Sequence, residues 1–271
     1  MTLRADLSTS LGHHPRVMTG AEPYILNGEG ADSLVLVHGW GGSPQSMRLV
    51  AERVARTGMR VVVPRLDGHA TVPADLESVT AVDWLDQISA IVRQLAGAGS
   101  VSIAGCSLGA SLSLATAGIH HEHIRAVTAI NGGTTIRRPG FVAAAVLDPR
   151  GVSLDADEFG PMTLDPDAFE IGYDQAALPR ASFLQVLAVA ALIQELAPRI
   201  VAPTLLLHSR QDQVIPFENA ERLRAMLTSA PVRVVALENS LHAAQVDYDA
   251  DVIADAIVEH LHECGTLARA G

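Results

Sequence analysis

A serine flanked by glycines, in the order Gly105-Cys106-Ser107-Leu108-Gly109, has the G-x-S-x-G spacing that sets a hydroxyl nucleophile on a sharp turn. The bare pattern recurs by chance, so its setting decides what it means. Here an apolar run, Val101–Ala104, comes directly before it, and a helical period starting at Leu108 comes directly after. In a strand-turn-helix corner of this kind the serine takes a strained backbone. Side chains in place of Gly105 and Gly109 would collide with the neighbouring strand and helix. The helix start beneath the hydroxyl favours a developing negative charge. Outside that setting the same five residues would read as a Gly-Ser turn that caps a helix.

A serine hydroxyl is a weak nucleophile, so a base and an acid to orient it must lie further along the chain, in the order acid and then histidine. Of 11 histidines, only His242, His260 and His262 follow the penultimate strand and its loop, and the last two fall in the C-terminal helical period. His242 ends Glu238-Asn239-Ser240-Leu241-His242, just past the last apolar run. The acid candidate is Asp212 in Ser209-Arg210-Gln211-Asp212-Gln213-Val214-Ile215-Pro216, after the run Thr204–His208 and with Pro216 opening the next helix. Asp247 is a carboxylate that could compete with it. Singly, an Asp in a turn reads as a cap and a loop His as a solvated residue. Their joint occurrence with the serine, at C-terminal strand ends where open α/β sheets place their sites, points to a catalytic triad.

Acyl transfer also needs donors for an oxyanion. His38-Gly39-Trp40-Gly41-Gly42 follows the run Ser33–Val37 and would set the N–H of Trp40 opposite that of Leu108. Its glycines do not make G-x-G-x-x-G, and no acid follows at the spacing a dinucleotide site needs. His120-His121-Glu122-His123 ends an amphipathic helix, where histidine is favourable without a metal. The Cys106 thiol, next to the nucleophile, reads as packed against the sheet.

These residues need a scaffold, and the sequence lays one out. Short runs at Tyr24–Leu26, Ser33–Val37, Arg60–Val63, Val101–Ala104, Ala126–Ile130, Thr204–His208 and Arg233–Leu237 alternate with helical periods, the pattern of a mostly parallel sheet with helices on both faces. The helical stripes are Met47, Val50 and Val54; Val82, Leu85, Ile88, Val92 and Leu95; Leu108, Leu112, Ala115 and Ile119; and Ile253, Ile257 and Leu261. Between about Gly132 and Pro198 the alternation stops. That segment predicts an inserted lid over residues 132–198, with 1–131 and 199–271 as the core. Its large apolar side chains Phe141, Phe159, Met162, Phe169 and Phe183 are the candidate lining of a substrate pocket.

Composition limits what this scaffold can serve. With 19 Lys plus Arg against 30 Asp plus Glu, a formal charge of -11, a phosphate-backbone partner is excluded for want of a basic stripe. Two cysteines do not make a disulfide framework and fit a reducing cytoplasm. The N-terminus shows no export signal, and the longest apolar run, Phe183 to Ile193, is broken by Gln185, so no stable membrane insertion is expected.

From Tyr24 to Leu261 the chain resembles the α/β-hydrolase superfamily, within it the bacterial carboxylesterases and monoacylglycerol lipases. His38 to Gly42 is similar to their H-G-x-x-G loop, Pro64-Arg65-Leu66-Asp67-Gly68-His69 to their P-x-x-x-G-H segment, and Gly105 to Gly109 to their elbow. Asp212 stands in their D-x-x-[VI]-P context and His242 at their base. The chain departs from the pattern with Leu241 where glycine precedes the base, with Ala70 after His69, and with a single strand candidate before Ser33. The resemblance implies a lid. Together these features predict a serine esterase acting on small carboxylic esters of short to medium acyl chains, monoacylglycerols among them, with no cofactor. The alternatives are thioester, lactone or carbon–carbon bond hydrolysis on the same scaffold, or a ligand-binding protein with a near-silent triad.

Overall fold

The computed structural model describes residues 7, 9–27, 31–137, 142–143, 147, 160–173 and 178–267. Among them are seven strands: β1 Tyr24–Leu26, β2 Ser33–Val37, β3 Arg60–Val63, β4 Val101–Cys106, β5 Ile124–Ile130, β6 Thr204–Ser209 and β7 Val232–Leu237. They form one sheet in the order β1-β3-β2-β4-β5-β6-β7. Only β1 runs antiparallel, against β3. The other pairs are parallel.

Among the described residues, six α-helices of eight residues or more connect and cover the strands: α1 Arg48–Ala55, α2 Ala81–Ala96, α3 Leu108–Ile119, α4 Arg180–Leu196, α5 Glu218–Met226 and α6 Ala250–Glu263. Side chains on a strand alternate between faces, so each strand feeds two cores. Val35, Val37, Ile103, Val127 and Leu206 pack with α2, α3, α4 and α5. Leu34, Leu36, Ala104, Ile130 and Leu207 pack with α1 and α6 on the other side. Continuous apolar runs are what a parallel sheet buried on both faces requires.

Three local readings change. Strand β4 runs two residues further than expected, to Cys106, so the sheet delivers Ser107 directly. Val82 is 62% exposed, while Leu85, Ile88, Val92 and Leu95 are buried as the spacing predicts, joined by Trp84 and Ile91, behind a Thr80/Asp83 capping box. A stripe read from spacing misses the turn at which the helix enters the core. Ile119 is 36% exposed, because it ends α3 at the sheet's rim.

Helix α4 falls within the segment read as an insertion, yet Val189 and Ile193 lie in the core beside α3. Gly118 of α3 lies so close to Leu196 that a Cβ there would sit 2.8 Å from its backbone oxygen. By length and composition Arg180–Arg199 could cross a membrane. In this fold its inner face packs on α3.

Candidate active site

The elbow is built as its glycines predict. Ser107 has φ 55° and ψ −116°, a strained conformation, and its N–H donates to Ile130 O at 2.9 Å. A Cβ on Gly109 would penetrate the carbonyl oxygens of Val37 and His38, and one on Gly105 would meet the Gly109 backbone. Only glycine lets β2, β4 and α3 approach this closely.

The structure brings the three expected side chains together. His242 Nε2 lies 3.0 Å from Ser107 Oγ, and His242 Nδ1 lies 2.8 Å from Asp212 Oδ2. Asp212 is fully buried, and its other oxygen, Oδ1, accepts the N–H groups of Val214 and Ile215, each at 2.8 Å. Burial pulls the His242 pKa down, but the charge and hydrogen bond of Asp212, with the charge of Glu170, outweigh it, and the net shift is upward. Nearby, His208 is buried and donates from Nε2 to Ile215 O at 3.0 Å; burial lowers its pKa, so it stays neutral beside Asp212.

The second loop lies against the elbow. A Cβ on Gly39 would sit 3.5 Å from Ser107 Cβ, which brings the Gly39–Trp40 peptide beside Ser107. Leu108 opens α3, so its N–H has no intrahelical acceptor. His38 shapes the loop from behind. Its Nδ1–H donates to Gly39 O at 2.8 Å while Nε2 accepts from Leu66 N at 3.1 Å, a pair of bonds that selects the Nδ1–H tautomer. The Trp40 indole N–H donates to Ser182 Oγ at 3.2 Å, and its ring meets Phe183 at 5.6 Å. Ser182 therefore braces the loop, a part that no spacing in the sequence announces.

Residues 160–173 form a strap between the loop that carries His242, the expected base loop, and the His38–Gly42 loop, the expected oxyanion loop. At one end Met162 O accepts from Ala243 N at 2.9 Å. The buried carboxylate of Asp247 accepts four N–H groups: Leu164 and Asp165 of the strap, and Leu241 and Tyr248 of the base loop. At the other end Ile171 N donates to Gln45 Oε1 and Tyr173 N to Gly41 O. Asp247 is thus occupied in holding loops together, and Asp212 is the carboxylate on the histidine.

Of the expected pocket residues, Phe183 is buried against Trp40, Met162 is half-buried at the base loop, and Phe169 is 67% exposed on the strap. Phe141 and Phe159 lie outside the described residues. Cys106 is buried, and its thiol donates to Gln245 Oε1 at 3.0 Å. Burial, with the charges of Glu170 and Asp212, raises its pKa well above the usual thiol range, which leaves it a poor nucleophile.

The departures from the expected motifs have local explanations. Leu241 is not among the described residues with positive φ, so its position makes no demand for glycine. Ala70 does have positive φ, 52°, which is why glycine suits that place.

The model of the alpha/beta hydrolase family matches residues 34–256, a span that contains Ser107, Asp212 and His242. The chain belongs to the alpha/beta hydrolase family. It is 33% identical over 244 residues to a thermostable monoacylglycerol lipase of Bacillus sp. (strain H-257), covering 90% of this chain and 95% of that one. A structure from work on the metagenome-derived lipolytic enzymes LipS and LipT superimposes with TM-score 0.83 at 30% identity, covering 91% of this chain and 99% of the other. The monoacylglycerol lipase of Paleococcus ferrophilus, at TM-score 0.72 and 22% identity over 90% and 99% of the two chains, shares the fold. This alpha/beta hydrolase is a serine hydrolase, with the mostly parallel sheet that the sequence predicts.

Proposed function

We propose that the enzyme hydrolyses small carboxylic esters through an acyl-enzyme on Ser107, monoacylglycerols among its substrates. The observation that carries this reading is the unbroken relay from Ser107 Oγ through His242 to Asp212, at 3.0 and 2.8 Å. His242 Nε2 takes the hydroxyl proton as Ser107 Oγ attacks the ester carbonyl, and Asp212 stabilises the imidazolium. The N–H groups of Trp40 and Leu108 hold the tetrahedral oxyanion. The imidazolium then protonates the departing alcohol, and the neutral base activates water to release the acid. No cofactor enters these steps. The likeness to a monoacylglycerol lipase supports an ester with a polyol alcohol. Both cysteines are free thiols, which supports a reducing, cytoplasmic setting.

The cap is assigned to residues 132–198, and acyl recognition to its large apolar groups. Phe183 beside Trp40 and Met162 at the base loop support that assignment, with Phe169 at the exposed rim and Phe141 and Phe159 as further members. Each methylene taken from water contributes about 0.8 kcal/mol, so kcat/KM should rise up to about fourfold per carbon until the pocket fills, and then fall.

The deciding experiment combines a fluorophosphonate probe with p-nitrophenyl esters from acetate to palmitate. The expected results are a mass shift on the Ser107 peptide, turnover that peaks at short to medium chains, and loss of both in Ser107→Ala. Residual Ser107→Ala turnover above about a hundredth of wild type would overturn the nucleophile. Labelling without turnover would indicate a binding protein, and a flat chain-length profile would remove the pocket assignment.

A further inference from the structure

The end of β5 touches every loop that carries a triad residue. Ile130 O accepts the Ser107 N–H at 2.9 Å. The next residue, Asn131, is fully buried with φ 46°. Its backbone N–H donates to Leu207 O at 2.9 Å. Its Oδ1 accepts the Ser209 N–H at 2.7 Å, at the start of the loop that bears Asp212. Its Nδ2 donates within reach of Ser209 Oγ at 3.1 Å, Leu241 O at 3.1 Å and His242 O at 2.8 Å. One amide therefore binds Ser209 by both its backbone N–H and its hydroxyl and holds the carbonyl of the base itself.

We propose that Asn131 is a positioning residue that registers the acid loop and the base loop against the nucleophile's elbow, setting the His242 ring between Asp212 and Ser107. The inference rests on the esterase reading above and deepens it. The chemistry requires asparagine at this place. The backbone needs a residue that tolerates the left-handed region, the Ser209 N–H needs an acceptor, and the two base-loop carbonyls need a donor. Aspartate would keep the backbone and the acceptor but present oxygen to the carbonyl oxygens of Leu241 and His242. Glycine would keep only the backbone.

A residue that merely stabilised the sheet end would change melting temperature and nothing else. A positioning residue changes the basicity of His242, because that depends on how closely Asp212 is held. The groups that face His242 are Asp212, Glu170, His208 and the Ser107 hydroxyl. None is altered by Asn131→Gly, so a shift in the acid limb of that variant reports the geometry of the pair.

The experiment compares wild type, Asn131→Gly and Asn131→Asp for melting temperature, kcat and KM on p-nitrophenyl butyrate, the pH profile of kcat/KM, and the rate of fluorophosphonate labelling at Ser107. The expected result is a fall in kcat of about 10 to 100-fold in both variants, with little change in KM and a parallel fall in labelling. In Asn131→Gly the acid limb should move to lower pH as the hold of Asp212 on His242 loosens. A folded Asn131→Gly with the wild-type kcat and acid limb overturns the proposal, whatever its melting temperature. Should that variant fail to fold, Asn131→Asp decides, since it keeps size, backbone preference and the Ser209 contact; unchanged kcat there overturns the proposal. Wild-type protein that forms no Ser107 adduct and turns over no ester would overturn the esterase reading and this inference with it. Active wild type beside equally active variants overturns this inference alone.

Discussion

The carboxylate of Asp212 is committed on both oxygens, Oδ2 to His242 and Oδ1 to the backbone N–H groups of Val214 and Ile215. That geometry predicts how Asp212→Asn fails. The amide oxygen must stay with the two N–H groups, so the NH2 takes the place of Oδ2 and donates to His242 Nδ1. The ring proton is then forced onto Nε2, where it faces Ser107 and cannot accept. We expect kcat to fall by about 10^3 to 10^4 with the fold intact, as burst and steady-state kinetics beside circular dichroism would record. The same contacts set the pH dependence. The base works only when neutral, and its pKa is raised, so kcat/KM should fall with decreasing pH along a limb centred above the ordinary imidazole value of about 6.5. A pH–rate profile with the limb at or below that value would contradict the close pairing. Both residues were legible in the sequence because each stands at a strand end in a recognisable turn. Asn131 was not, since its role consists of contacts to Ser209 and His242, 78 and 111 residues away.

At the scale of elements, the strap and the base loop act as one unit because a single buried carboxylate, that of Asp247, collects four N–H groups from both. Asp247→Ala leaves those donors without an acceptor, and a buried unsatisfied group costs about 1–3 kcal/mol. Melting temperature should drop measurably. Turnover should drop too, since Leu241 precedes the base, and the chain-length profile should change, since residues 164 and 165 lose their anchor. A variant with reduced stability but wild-type kcat and chain-length profile would show that the strap and the base are independent. Sequence reading found the elements themselves, with strand limits within two residues, because a parallel sheet buried on both faces must be written in continuous apolar runs. It could not place the strap, whose path is set by side chains from elsewhere: Gln45, Gln213 and Asp247.

Across the whole molecule, two buried histidines tie folding to pH. His38 and His69 stack edge to face behind the oxyanion loop, with ring centroids 5.1 Å apart. Burial is the main cause that lowers both, His38 to about 4 and His69 well below the usual value. The unfolded chain takes up a proton at His38 near pH 6.5, while the folded chain refuses it until about pH 4, and burial holds His69 neutral in the same direction. Stability is therefore complete above about pH 7 and drains away between about 6.5 and 4, by roughly 3 kcal/mol for His38. Urea midpoints at pH 7, 5.5 and 4.5 should show that loss, and His38→Asn should flatten part of the slope; a slope unchanged by the substitution would remove His38 as a cause. The alternation of apolar runs and helical periods settles the layered fold, and the motifs at strand ends settle which serine, aspartate and histidine can meet, because both are properties of near neighbours in the chain. Tertiary packing alone decides that Asn131 bonds to both the acid and base loops, that Asp247 joins strap to base loop, that Ser182 braces Trp40, and that the inner face of helix α4 packs on α3. Those contacts join residues tens to more than a hundred positions apart, and hydrogen bonds over such separations exist only once the sheet has brought its C-terminal edge into one place.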